Sequence, residues 1–269
     1  MSAQTRSVRR ARISENDFLD EQDVVAVEEP LEIRLCGIPL TVLLRTPGND
    51  EELAVGFCMT EGLIGSAQDV DEVKPCDNAP AQAAGNIVDV LVRAGILPDF
   101  RRHQAPRYAN SACGVCGIAT LENLTRAVAP LTDAHSIPFR TLLQLPQKLR
   151  HQQPGFAATG GMHAAGLLFD DGALHCVRED VGRHNATDKT LGAWLLERPE
   201  DRPRALVVSS RAGFEIVEKA HHAGVPVVLC VGAPTSLAVN AAERAGVTLC
   251  AFASARGCNI YSHGGRIQR

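Results

Sequence analysis

The chain has 269 residues, 45% of them hydrophobic and 22% charged, the profile of an ordinary globular protein with room for one large or two moderate domains. A net charge of -4 gives no electrostatic reason for a nucleic acid partner, and no apolar run approaches the roughly 18 residues of a membrane span. Nine cysteines, an odd number scattered through hydrophobic segments, argue against a secreted disulfide scaffold and for a reducing cytoplasm.

Residues 1–24 are polar and rich in arginine and acid, with too few apolar groups to pack, and predict a flexible tail. The Arg9-Arg10 pair is followed by no apolar run of signal-peptide length, so no export signal is expected. Leu31, Ile33 and Leu35 alternate, Cys36-Gly37 punctuates, and Ile38, Leu40, Val42 and Leu44 alternate again, which predicts a β-hairpin. After the turn Pro47-Gly48-Asn49-Asp50, Asp50 is the expected cap of a helix running from Glu51 to about Leu63, with Cys58 on its core face. A loose loop at 78–85 precedes Ile87 to Val92, a strand rich in β-branched residues.

The stretch Asn110-Ser111-Ala112-Cys113-Gly114-Val115-Cys116-Gly117 places two thiols three positions apart, each followed by glycine. Three chemistries use that spacing. A redox dithiol closes a small disulfide ring, and half of a zinc site awaits a second pair of soft ligands. A sulfur carrier instead takes a sulfane sulfur on one thiolate as a persulfide and passes it on, which demands an accessible thiol of lowered pKa. The apolar period Ile118, Leu121, Leu124, Val128 predicts a helix directly after the loop, and its positive end favours the thiolate. A chance pair of buried small residues is the bland alternative.

Thr141 to Gln153 is helix-prone but interrupted by Pro146, which predicts a kinked or late-starting helix. Thr159 to Phe169 and Ala173 to Arg178, joined by Asp170-Asp171-Gly172, predict a hairpin. In Glu179-Asp180-Val181-Gly182-Arg183-His184-Asn185-Ala186-Thr187-Asp188-Lys189, seven ionisable or amide side chains crowd a loop and the first turns of a helix ending near Glu197. That mixture suits polar ligand recognition, against the plainer reading of a solvated helix start capped by Asp180 or Asn185.

The last third reads as strand Ala205–Ser210, helix Phe214–Ala223, strand Pro226–Val231, helix Ser236–Ala245 and strand Val247–Phe252, a βαβαβ unit with a parallel sheet. Ligands of such sheets bind beyond the carboxyl ends of the strands. Here those ends are Ser209-Ser210-Arg211, Gly232-Ala233-Pro234-Thr235-Ser236 and Phe252-Ala253-Ser254-Ala255-Arg256-Gly257, which offer hydroxyls, guanidinium groups and helix-start N–H groups for phosphates. Neither the dinucleotide glycine pattern nor the Walker pattern is present, and Ser236 also suits a plain helix cap.

Taken together, Cys113 to Gly117, Met162-His163-Ala164-Ala165, Glu179 to Asn185, Ser209-Ser210-Arg211, Ala233 to Ala238 and Asn259-Ile260-Tyr261-Ser262 resemble the formate dehydrogenase accessory sulfurtransferase family, FdhD. The resemblance runs from about Glu29 to Ser262. It implies a cytoplasmic, usually homodimeric protein of α/β class, with a cytidine-deaminase-like mixed sheet bearing helices on both faces and a smaller N-terminal α+β portion. Residues 25–135 would form that portion with the Cys-x-x-Cys loop, and 136–269 the deaminase-like domain with the pocket.

The implied activity is transfer of sulfur from a cysteine desulfurase to the bis(molybdopterin guanine dinucleotide) molybdenum cofactor, before that cofactor enters formate dehydrogenase. On the matching positions Cys113 would carry the persulfide with Cys116 as helper. Phe252, Ala253, Ser254, Ala255, Arg256 and Gly257 would lie against the guanine nucleotide part, which GDP would mimic. Ser209, Arg211, Thr235 and Ser236 at the strand ends, with Asp180, Arg183, His184 and Asn185, complete the expected pocket. The chain departs from the family pattern after Phe252: Ser254-Ala255 stands where an Arg-Gly pair is usual, and Arg256-Gly257 follows two positions later. Gly213 and Gly232 stand where serines are expected. A true zinc deaminase fits worse, since His163-Ala164-Ala165 lacks the glutamate that chemistry needs. The alternative from another class is a non-catalytic nucleotide- or cofactor-binding chaperone with a structural or metal-holding dithiol.

Overall fold

The computed structural model describes residues 4–15, 17–76, 83–96, 129–132 and 135–269. The Cys113–Cys116 loop, the helix expected after it and most of the 78–85 loop lie outside the described residues. In chain order the strands are β1 (Thr5–Ile13), β2 (Phe18–Ala26), β3 (Glu29–Leu35) and β4 (Ile38–Arg45). Helix α1 (Asp50–Thr60), β5 (Val70–Pro75), β6 (Ile87–Val92) and β7 (Ile137–Pro138) follow. Next come α2 (Phe139–His151), α3 (Pro154–Thr159), β8 (His163–Leu168), β9 (Leu174–Asp180) and α4 (Arg183–Glu197). The chain closes with β10 (Ala205–Val208), α5 (Phe214–His222), β11 (Val227–Cys230), α6 (Ser236–Ala245), β12 (Thr248–Ser254), β13 (Gly257–Ile260) and β14 (Ile267–Gln268).

The architecture is mixed α/β. A six-stranded sheet runs β13-β12-β11-β10-β8-β9 and a four-stranded sheet runs β4-β3-β6-β5. Within the larger sheet β10, β11 and β12 are parallel, as the βαβαβ pattern predicts, and the β8–β9 hairpin adds antiparallel to β10. The alternation along β10 divides two apolar clusters between the faces of this sheet. Leu206 and Val208 join α4, α5 and α6 on one face, while Ala205 and Val207 meet Leu142, Leu145 and Leu149 of α2 on the other. Pro146 stands inside α2 without dividing it, and the helix begins two residues earlier than its periodicity predicts.

The first cluster also contains Leu31, Leu53 and Phe57, so one core joins residues on both sides of position 135. Helices α1 and α4 approach at two glycines. A Cβ on Gly56 would meet the Asp188 carbonyl, and one on Gly192 would meet the Glu52 carbonyl, so only hydrogen fits where these backbones touch. Cys58 is fully buried in α1, as expected.

Two local expectations are corrected. Residues 5–26 do not form a flexible tail but pair as the antiparallel β1–β2 hairpin, in register from Thr5–Ala26 to Ile13–Phe18. Charged pairs reach across this hairpin: Arg10 meets Glu21 at 2.8 Å and Asp23 at 2.6 Å. Asp50 does not cap α1. Asn49, in the left-handed region at φ 59°, is the N-cap residue, and the Asp50 carboxylate takes a two-pronged contact from the buried Arg45 at 2.8 and 2.9 Å. No helix among the described residues is long and apolar enough to cross a membrane.

Candidate functional site

Three parallel strands end side by side and hand the chain to loops that bond to one another. Gly232 N donates to Ser210 O at 3.1 Å, Thr235 N to Ala212 O at 3.1 Å and Phe252 N to Gly232 O at 3.1 Å. A short parallel bridge joins Ala212 to Pro234. The antiparallel hairpin adds to the same edge, since His163 at the start of β8 pairs with Asp180 at the end of β9, and Ala164 N donates to Ser209 Oγ at 2.9 Å. The strand-end stretches picked out in the sequence therefore meet at one edge. Helices α4, α5 and α6 start there too, and aligned peptide dipoles make such an edge electropositive.

The polar cluster from Glu179 to Lys189 divides in two. Asp180 and Lys189 are both fully enclosed and bond at 2.8 Å. Asp180 also accepts from Thr46 N, Gly182 N and Asn185 Nδ2 at 3.0, 2.8 and 3.0 Å, and Asn185 donates further to Leu44 O at 2.8 Å. Glu179 accepts from Gly155 N and Phe156 N at the start of α3, and Asp188 joins Lys219 and Thr60 in a second buried network. These groups find their hydrogen-bond partners inside the protein, so Asp180 and Asn185 hold the loop from within.

Arg183 and His184 are what the loop presents at the edge. Arg183 Nε and His184 Nε2 are both buried atoms without a hydrogen-bond partner, and His184 Nε2 lies 3.7 Å from Glu215 Oε2. Burial alone would raise the Glu215 carboxyl, but the neighbouring His184 imidazole and its own backbone N–H hold it below the usual carboxylate range. Arg211 is exposed on the β10 loop. Burial, and then the neighbouring Arg183 and His184, hold the His163 imidazole below its ordinary value; Arg211 adds to this and Asp180 opposes it. His163 thus stands neutral at pH 7 near the guanidinium groups of Arg183 and Arg211, an arrangement that an anion would complete. The motif around His163 is visible in the sequence, but its proximity to Arg183 and Arg211 depends on β8 running beside β10 and β9.

That environment is measurable. Titration of His163 by proton NMR is expected to give a midpoint below the ordinary 6.5, and Arg183→Met should move it upward. The unfolded chain takes up this proton before the folded protein does, so the stability tied to neutral His163 is lost as pH falls from about 6.5 towards the lower folded value. A midpoint at or above 6.5 would remove the cationic neighbourhood.

The hydroxyls behave differently from expectation. Ser209 Oγ accepts from Ala164 N and Ser210 Oγ donates to Arg211 O, so both shape the loop. Thr235, not Ser236, caps α6 by accepting from Ala238 N at 3.2 Å, which leaves Ser236 exposed beside it. Beyond them Phe252 is half exposed and takes a φ of 55°, a conformation that a bulky residue adopts at a cost. Ser254, Ala255 and Arg256 are exposed, Ala253 is buried and Gly257 half-buried. Ser254 Oγ accepts from Arg256 N and donates to Gly257 O, so it holds its own turn. Among the described residues no cluster of three or more His, Cys, Asp and Glu side chains could hold a metal.

Known proteins share both this chain's sequence and its shape. The chain is 43% identical to the sulfur carrier protein FdhD of Mycobacterium tuberculosis, across 96% of this chain and 97% of that protein. It is 44% identical to the protein of the same name from Anaeromyxobacter dehalogenans, across 91% and 89% of the two. A solved structure from Desulfotalea psychrophila, described as a formate dehydrogenase accessory protein, superposes with a TM-score of 0.80 at 26% identity over 98% of this chain and all of that one. The model of the FdhD/NarQ family matches residues 26–268, and this chain belongs to that family.

Proposed function

We propose that this protein is a sulfur carrier for the maturation of formate dehydrogenase. It accepts sulfur from a cysteine desulfurase on Cys113 and passes it to the bis(molybdopterin guanine dinucleotide) molybdenum cofactor, which is its substrate. The observation that carries the reading is near full-length similarity to proteins named sulfur carrier, in a chain that has the Cys113-Gly114-Val115-Cys116 dithiol. In the loading step the Cys113 thiolate attacks the outer sulfur of the desulfurase persulfide. The new S–S bond gives Cys113–S–SH, and the desulfurase cysteine leaves as thiolate. Attack of the Cys116 thiolate on the inner sulfur would then form the Cys113–Cys116 disulfide and release the outer sulfur as HS⁻ with its electron pair. The protein works in the cytoplasm and as a homodimer in this reading.

The electropositive strand edge would hold the nucleotide end of the substrate. Arg183 and Arg211 suit its phosphates, neutral His163 can donate one hydrogen bond, and the exposed ring of Phe252 offers a flat apolar face to guanine. Asp180 and Asn185 hold the Arg183 loop in place from inside. Arg211→Ala is expected to weaken GDP binding by a charge-assisted contact worth roughly 1.5 to 3 kcal/mol, or about ten-fold to more than a hundred-fold. Calorimetry reads this directly, and unchanged affinity would take Arg211 out of the pocket. Sulfur loading should survive in that variant while delivery fails.

The test of the whole reading is incubation of the protein with a cysteine desulfurase and cysteine carrying labelled sulfur, followed by peptide mapping. The label should appear on Cys113 as a mass increase of one sulfur that a reductant removes. Stoichiometric zinc with no label on Cys113 would instead favour a metal-holding dithiol.

A further inference from the structure

Two thiols outside the Cys113–Cys116 loop meet at the base of the 252–257 turn. Cys250 lies in β12 and Cys258 in β13, and the register joins Cys250 to Ile260, Ala251 to Asn259 and Ser254 to Gly257, with a bulge between Ala251 and Ser254. Cys258 and Ile260 share a strand face, so Cys258 is the diagonal neighbour of Cys250 on one side of the sheet. The packing agrees: Cys250 is fully buried in the cluster under α2, and half-buried Cys258 packs against that same cluster. The two side chains stand close enough to influence each other directly. Cys230, on the adjacent strand, points to the opposite core face and donates to Gly232 O at 3.3 Å, so it stands outside the pair.

The two thiols are unequal. The neighbouring Cys250 thiol stabilises the Cys258 thiolate and brings that group down to about 7 against the opposing effect of burial. The same interaction, with burial, pushes Cys250 well up. An accessible thiolate beside a buried thiol is the arrangement of an attacking cysteine with a resolving one.

We infer that Cys258 and Cys250 form a second, reversible dithiol site whose reactant is a low-molecular-weight disulfide, and that its oxidation staples the base of the 252–257 turn. The Cys258 thiolate attacks one sulfur of RS–SR, forming Cys258–S–SR and releasing RS⁻. Cys250 then attacks the Cys258 sulfur, with its proton passing to the second departing RS⁻. The Cys250–Cys258 disulfide forms, two RSH result, and the external disulfide is reduced by the two electrons the protein gives up. Bond formation draws the sulfurs together and shifts the turn that begins and ends beside them. The consequence for nucleotide rests on the role proposed above for that turn: oxidised protein should bind GDP about ten-fold more weakly than reduced protein. The dithiol chemistry itself does not rest on it.

The test uses full-length Cys113→Ser/Cys116→Ser protein, which removes the loop thiols, treated with glutathione disulfide. Peptide mapping should find residues 250 and 258 linked, two hydrogens lighter, and dithiothreitol should reverse this. Cys250→Ser should stop at a glutathione adduct on Cys258, and Cys258→Ser, which changes a half-exposed position, should give neither product. No reaction at Cys258 under conditions that modify the exposed Cys36, or an adduct that Cys250 never resolves in otherwise unsubstituted protein, overturns the inference. A linked pair with unchanged GDP affinity overturns the stapling. Reduced protein that forms the disulfide yet never binds GDP leaves the dithiol standing and removes the nucleotide reading instead.

Discussion

Replacing Cys113 by serine is expected to abolish activation of formate dehydrogenase while leaving fold and guanine nucleotide binding at the level of the unsubstituted protein. A hydroxyl is nearly the size of a thiol, so packing changes little, but oxygen cannot take up and release a sulfane sulfur under these conditions. Several other thiols make poor substitutes. Burial pushes Cys176 up to about 11 and Cys230 to about 12, and Cys58 is raised further in the same direction by its enclosure in α1. Such groups are thiols rather than thiolates at neutral pH, and replacing them should cost stability at most. Measuring formate oxidation by the client after co-expression, with circular dichroism and GDP calorimetry on the purified variant, separates loss of chemistry from loss of fold. Equal client activity with Cys113→Ser would remove Cys113 from the sulfur path.

Much of the last third was legible because buried parallel strands advertise themselves: Ala205 to Val208 and Val227 to Cys230 are unbroken apolar runs followed by helices that glycine stops. From that topology the meeting of Ser209–Arg211, Gly232–Ser236 and Phe252–Gly257 at one edge followed directly. The β1–β2 hairpin was hidden for the opposite reason. Its strands are mostly exposed and are joined by pairs such as Arg10 with Glu21, and cross-strand charge leaves no apolar alternation to read. The polar cluster at 179–189 was seen, but which of its members turn inward was not. Asp180 is satisfied by Thr46 N, a group 134 positions away in sequence, and no local pattern reports such a partner. The surroundings of His163 were hidden on similar grounds, because Arg183 and Arg211 reach it from other elements.

The inward half of that cluster sets the largest structural effect. Lys189→Met should cost about 3 to 5 kcal/mol of folding stability, since it leaves the Asp180 carboxylate fully enclosed without its cation. The lysine does more than neutralise charge. Its Nζ also donates to Thr46 O at 2.7 Å, while Thr46 Oγ1 accepts from Val181 N at 3.2 Å, so the end of β4 and the turn before α4 are tied through these three residues. Adding Asp180→Asn to Lys189→Met removes the stranded charge and leaves an amide oxygen for Gly182 N or Asn185, so the double variant should regain part of the loss. The turn should stay poorly placed in both, with Arg183 and His184 no longer held at the strand edge and GDP affinity reduced. Sulfur loading on Cys113 should continue at a temperature where the variant remains folded. Urea unfolding of the three proteins checks the energetic half: a loss below about 1 kcal/mol in Lys189→Met, or a double variant that is the least stable of the three, would mean that the pair does not anchor the loop.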